Sequence, residues 1–244
     1  MRKTAMVLLS VIIIISAALS AVISVKASNE DLVEIKDAVR SMEIAFGGGN
    51  LYVELWDEEY VGLKIEKGEK SNGFEYKFEV KNEVLYIEGS QKNGNTFAKG
   101  DNKVYLYIPS DKYFEDFTLI SGDADTLVKN IHCKNLRIDA AVGKVDIIEF
   151  DTVNADITLG MGIINAKGKI AGNADAFCGA GILNIKFSDA EKKHDYLINT
   201  TFGRIKIGDT VYGVMSNEKN INDSDSKINL ECVAGQIELE FEND

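Results

Sequence analysis

Glycine recurs through the second half of this chain at Gly122, Gly143, Gly162, Gly181, Gly203 and Gly235, flanked by apolar residues at fixed offsets. Two and four residues after the last five stand Val145 and Ile147, Ile164 and Ala166, Leu183 and Ile185, Ile205 and Ile207, and Ile237 and Leu239. Five and three residues before them stand Ile138 and Ala140, Ile157 and Leu159, Ala176 and Cys178, Ile198 and Thr200, and Leu230 and Cys232. A weaker copy surrounds Gly122, with Phe117 and Leu119 before it and Ala124 and Thr126 after it. The residues between are mostly polar, such as Asp139, Lys144 and Asp146. A period of two means strands with one buried face. Each unit therefore reads as two short strands joined at a bend where glycine takes up positive φ without a Cβ clash.

The spacing suits one supersecondary unit repeated along an axis, and the polar surplus before Gly235, residues 216–227, reads as a surface loop. Two architectures carry such a pattern. In a β-solenoid, a coil of about 20 residues makes three short sides around a filled interior, and equivalent residues stack about 4.8 Å apart. In a meander or barrel, each unit is a hairpin. The solenoid is favoured because the bends lack the Asn-Gly or Asp-Gly of tight hairpins. Matching amides support it: Asn154 with Asn173, and Asn165 with Asn184, share offsets at which side chains form hydrogen-bonded ladders.

The fold class is thus all-β, a solenoid or β-helix-like stack, and the chain divides into four parts. Residues 1–27 are a signal peptide or transmembrane anchor and 28–41 a linker or short helix with apolar spacing at Leu32, Ile35 and Val39. Residues 42–115 are an irregular β-rich part, with strands expected at 61–66, 73–80, 84–89 and 103–108. There Ile44, Phe46, Gly49, Leu51 and Val53 follow the repeat's offsets. Residues 116–244 are the glycine-anchored solenoid.

At the N-terminus, Arg2 and Lys3 precede an uncharged apolar run from Thr4 to Val25. It serves as a cleaved signal, with small residues around Lys26 where a peptidase could cut, or as an anchor, because its length crosses roughly 30 Å of hydrocarbon. The length favours the anchor. Either way the rest of the chain is placed on the extracytoplasmic side, secreted or membrane-anchored. That remainder is strongly acidic, since all 39 Asp and Glu, but only 24 of the 27 Lys and Arg, lie beyond residue 27. Such a field repels phosphate backbones and anionic headgroups, which excludes nucleic acid as a partner and leaves the N-terminal segment as the contact with membrane.

Chemistry is hard to find. His132 and His194 are far apart in sequence and neither adjoins a nucleophile pattern; no catalytic residue is assigned. Cys133, Cys178 and Cys232 form no metal-ligand spacing, and no metal or cofactor motif is present. Sequential stacking sets Cys178 and Cys232 two rungs, or roughly 10 Å, apart, too far for a disulfide. Gly47-Gly48-Gly49 lacks the Lys-Ser/Thr of a phosphate loop. The carboxylates Asp123, Asp125, Asp139, Asp146, Asp156 and Asp175 are spread over neighbouring units, where outward acids keep strands solvated, although acid pairs on such a face can cleave sugars. Ile163, Phe177 and Ile182 break the alternation by pointing outward, forming an apolar strip that marks a partner surface or is covered by the first half of the chain; covering is the favoured reading. Glu238, Glu240 and Glu242 are expected to protect an open C-terminal edge.

The order of targeting segment, irregular β-rich half, strand ending in Ile108-Pro109 and units of the form Leu119-Ile120-Ser121-Gly122-Asp123-Ala124 resembles the bacterial putative-adhesin family, over residues 42 to 242. The resemblance implies a β-solenoid-like fold, an extracytoplasmic location and no catalytic residues to carry over. The resulting expectation is a non-enzymatic envelope module, adhesin-like, that binds a cell-envelope polymer or a membrane protein. The alternatives are a polysaccharide-active β-helix enzyme and a membrane-anchored accessory protein of an envelope-stress response.

Overall fold

The computed structural model describes residues 32–68, 74–91 and 101–242; the targeting segment lies outside the described residues. In chain order the strands are β1 (Val33–Ile35), β2 (Ser41–Trp56), β3 (Val61–Glu66), β4 (Phe74–Lys81), β5 (Val84–Gln91), β6 (Lys103–Pro109), β7 (Phe114–Val128), β8 (Ile131–Ala140), β9 (Lys144–Leu159), β10 (Ile163–Ile170), β11 (Ala174–Cys178), β12 (Ile182–Phe187), β13 (His194–Thr200), β14 (Arg204–Ile207), β15 (Thr210–Tyr212), β16 (Asn217–Asn220), β17 (Ser226–Cys232) and β18 (Gln236–Phe241). All strands belong to one hydrogen-bonded stack, a β-solenoid.

In the regular middle, chain order and stacking order coincide. Val145 lies beside Ile164 and Ile164 beside Leu183, all in parallel register. On the other side of the bend Ile138 lies beside Ile157 and Ile157 beside Ala176. Along β9 the inward sequence is Val145, Ile147, Phe150, Thr152, Ala155, Ile157 and Leu159. The two breaks in alternation, at Ile148–Glu149 and Val153–Asn154, each put two residues outward in succession and turn the chain. With the glycine bend these corners give the rung its three short sides.

The interior is a set of rows running along the stack. One row reads Leu51, Thr126, Val145, Ile164, Leu183, Ile237 and Ile205. Each side chain in it is almost wholly buried, and each aliphatic one contributes about 1.5–3 kcal/mol relative to exposure. A second row holds Phe150, Gly168, Phe187 and Phe241, in which the Phe187 and Phe241 rings stack at 5.6 Å. Gly168 makes room for the row, since a Cβ there would lie 2.6 Å from the Phe150 ring.

The stack departs from chain order at both ends. The last strands, β17 and β18, slide between β11–β12 and β13–β14: Cys178 lies beside Cys232 and Cys232 beside Thr200, while Leu183 lies beside Ile237 and Ile237 beside Ile205. At the other end β2 sits between β7 and the rung made by β5 and β6. Both ends are capped by antiparallel pairings: β4 on β5, β3 on β6 and β1 on β3 at one end, β16 on β13 and β15 on β14 at the other. The first half of the chain therefore continues the stack.

Four expectations are corrected by this arrangement. Cys178 and Cys232 are nearest neighbours, not two rungs apart. Glu238, Glu240 and Glu242 guard no edge; Glu238 instead pairs with Lys206 at 2.5 Å and Glu242 with Lys167 at 2.9 Å. Residues 33–35 form the strand β1 against β3, where a linker or short helix was expected, because Ile35 is buried in the shared core. Gly122 is not at the repeat position: it lies level with Gly47 and Ala141, and Ala124 faces Gly143's place in the column. A slip of two residues keeps every side chain on its own face, so alternation alone does not detect it.

The glycines themselves serve proximity more than turn geometry. Of Gly143, Gly162, Gly181, Gly203 and Gly235, only Gly162 has positive φ, at 137°. A Cβ on Gly181 would lie 2.6 Å from the Gly162 carbonyl oxygen, and Gly143, Gly162 and Gly235 each face a backbone oxygen of the adjacent rung at closer range. We expect Gly181→Ala to cost about 1–3 kcal/mol or more in denaturant melts, and Gly213→Ala, which has open space around it, to be nearly neutral. Thr126→Val is expected to stabilise by about 1 kcal/mol, because Thr126 Oγ1 is buried in an apolar row without a hydrogen-bond partner among the described residues.

Candidate partner surface

Around the glycine corner the exterior is apolar in a way the strand faces are not. The residues just before the corner glycines, Val142, Met161, Ala180, Ala234 and Phe202, follow one another along the stack, as their backbone hydrogen bonds show. Met161 is 58% and Phe202 68% exposed. On the far side of the corner Ile163 and Ile182 are direct neighbours, 37% and 41% exposed. Phe177, outward on the near side, is half-buried. Met215, 75% exposed and hydrogen-bonded through its N–H to the Thr201 carbonyl, extends the ridge beside Phe202. The strip at Ile163 and Ile182 is open to solvent; the favoured expectation that the first half of the chain would cover it fails, because that half occupies rungs further along the axis.

The strand faces carry polar ladders. Asn135 Nδ2 donates to Asp116 Oδ1 at 2.9 Å and Asn154 Nδ2 to Asn135 Oδ1 at 3.0 Å. On another side Asn165 Nδ2 donates to Asp146 Oδ1 at 2.8 Å and Asn184 Nδ2 to Asn165 Oδ1 at 2.9 Å. The matched asparagines thus stack as their offsets foretold. Each ladder floors a shallow groove, one of about 470 Å³ containing Arg137, Asp156 and Asp175, the other of about 510 Å³ containing Lys167 and Lys186.

The carboxylates are mostly engaged. Asp139 pairs with Arg137 at 2.8 Å, Asp146 with Lys144 at 2.6 Å, and Asp175 accepts from Asn229 Nδ2 at 2.7 Å. Asp156, stacked between Arg137 and Asp175, has its pKa raised by desolvation and by Asp139 and Asp175, against the pull of Arg137. Asp123 and Asp125 lie on β7 level with Gly48 and Asn50, away from that group. Among the described residues no three metal-binding side chains converge.

Outward aromatics at the other end spend their faces on each other. Tyr52 stacks on Tyr105 at 5.0 Å and Trp56 on Tyr107 at 5.2 Å, so they offer edges rather than a flat platform.

One constellation escaped the sequence reading. Threading of β17 brings Ser226 beside His194, with His194 Nδ1 2.7 Å from Ser226 Oγ and Nε2 3.2 Å from Asp189 Oδ1. Ser226 Oγ donates to the Gly172 carbonyl at 2.5 Å, so its proton is not aimed at the imidazole as a nucleophile's would be. Ser226 and His194 are both buried, and the ring packs against Phe187 at 5.3 Å. The group is a hydrogen-bonded plug in the core. Ser226→Ala, which strips partners from His194 and from the Gly172 carbonyl, is expected to cost about 1–3 kcal/mol in thermal or denaturant melts. The unaltered protein is expected to hydrolyse p-nitrophenyl acetate no faster than buffer.

The structure therefore defines a class, glycine-cornered solenoids with threaded, capped ends. The chain belongs to the Toastrack DUF4097 family, whose profile matches residues 23–244. Solved structures similar to this chain include proteins described as adhesins. A putative cell adhesion protein from Clostridium sporogenes is 16% identical, covering 88% of this chain and 99% of its own, with a TM-score of 0.46. A putative adhesin from Bacteroides fragilis is 11% identical, covering 87% and 98%, with a TM-score of 0.40. A putative lipid binding protein from Parabacteroides distasonis is 13% identical, covering 87% and 97%, with a TM-score of 0.35. No curated protein matches the chain.

Proposed function

We propose that this protein is a non-enzymatic extracytoplasmic module, held at or released from the membrane by its N-terminal segment, that binds a cell-envelope polymer or membrane protein along its glycine corner. The observation carrying this reading is the solvent-open ridge of Met161, Ile163, Ile182 and Phe202, which lines one corner of the stack on a strongly acidic chain. Successive rungs repeat a contact about every 4.8 Å, which suits an extended partner better than a compact one.

The polysaccharide-cleaving reading is favoured only by the raised pKa of Asp156 in its groove. Its immediate carboxylate neighbour, Asp175, accepts from Asn229 Nδ2, as an acid in a polar surface ladder does.

The test is co-sedimentation of the full-length chain with isolated cell-wall polymer, alongside co-purification from detergent-solubilised envelope. An Ile182→Asp/Phe202→Asp double variant, altered only at exposed positions, should fold normally by circular dichroism and retain at most a tenth of the binding. Equal binding by the double variant, or no binding by the unaltered chain, would sink the reading. So would steady release of sugar products that Asp156→Ala abolishes.

A further inference from the structure

Threading places two thiols where chain order alone would not. Cys178 on β11 and Cys232 on β17 are parallel neighbours, and both are buried and free. Adjacent parallel strands set their Cα atoms about 4.8 Å apart, within the roughly 4.4–6.8 Å that a disulfide spans. The side chains point to the same interior row, between Leu159 and Thr200, and the Cys178 thiol donates to the Gly181 carbonyl at 3.2 Å. Both sulfurs lean the same way along the axis, Cys178 toward the rung of Cys232 (2.7 Å from a Cβ on Gly235) and Cys232 toward Gly203, so closing the bond takes a rotation of the Cys232 side chain about its Cα–Cβ bond. The neighbouring Cys232 and burial push the Cys178 thiol up, while Cys178 and the Arg204 and Gly235 amides draw the Cys232 thiol down. Cys133 is a built-in contrast: it lies between Phe114 and Thr152, and burial pushes its thiol up to about 11.

We propose that Cys178 and Cys232 form a reversible disulfide that clamps the threaded C-terminal rung to the body of the stack. Two S–H bonds are lost and one S–S bond forms. The two protons and two electrons go to a disulfide oxidant, a small-molecule disulfide or a thiol-disulfide oxidoreductase, which is reduced to two thiols through a mixed disulfide. Both sulfurs are covered once the rung is seated, so the exchange takes place while β17 and β18 are still outside the stack. The bond closes the chain from residue 178 to residue 232 into a loop and thereby narrows the unfolded ensemble.

The full-length chain is refolded from denaturant with glutathione disulfide or under reducing conditions, acid-quenched, and analysed by intact mass and by maleimide labelling after denaturation. Oxidative refolding is expected to give a monomer lighter by two hydrogens, with one labelled cysteine, Cys133; reductive refolding should leave three. Cys133→Ser should still lose two hydrogens, whereas Cys178→Ser and Cys232→Ser should not. The oxidised form should melt on the order of 10 °C higher. Three labelled thiols in a folded protein after oxidative refolding, a bond that uses Cys133, or an oxidised chain without the circular dichroism of the reduced fold would each overturn the proposal.

Discussion

The stack depends on how closely backbones approach at one corner. Along the column of Gly143, Gly162, Gly181 and Gly235, each Cα sits against a backbone carbonyl of the adjacent rung with no space for a methyl group. That contact sets how closely these rungs approach along the axis. Once the register is set, the aliphatic rows follow, because each inward side chain then lies directly over its equivalent. The corner's exterior follows as well. A tight, side-chain-poor bend raises the residues before and after it into solvent, and this is where Met161, Ile163, Ile182 and Phe202 stand.

The two ends show how a solenoid interrupts its parallel ladder before it stops. A parallel stack that simply stopped would present unpaired amides and carbonyls to any passing chain. Here strands antiparallel to the stack cap both ends, and the last strands of the chain, β17 and β18, lie one rung further in. Polar groups that look inert in the sequence gain partners from this exchange, as with Ser226 and His194 or Lys206 and Glu238.

How much was legible in the sequence follows from what is local. The strands at 61–66, 84–89 and 103–108 could be read because alternation and turn residues mark them within a few positions. The rows of Val145, Ile164 and Leu183 could be read because the interval between rungs is constant there. The position of Gly122 could not, since a two-residue slip leaves the pattern of inward and outward residues unchanged. Nor could the insertion of β17 and β18: neighbours along the axis are chosen by the whole stack, and a strand carries the same alternation whichever rung it joins. The pairing of Cys178 with Cys232 and the grouping of His194, Ser226 and Asp189 were hidden for that same reason.

The tucked ends also limit how a molecule of this kind can change length. In an ordinary repeat array, a unit copied at either terminus simply prolongs the rod. Here a copy appended after Phe241 would begin from a strand already hemmed in on both flanks, with no vacant ladder to join. Only between Ala124 and Gly181, where consecutive units are also consecutive layers, can one be gained or lost without rewiring the caps. The reach of the rod is therefore set in its middle.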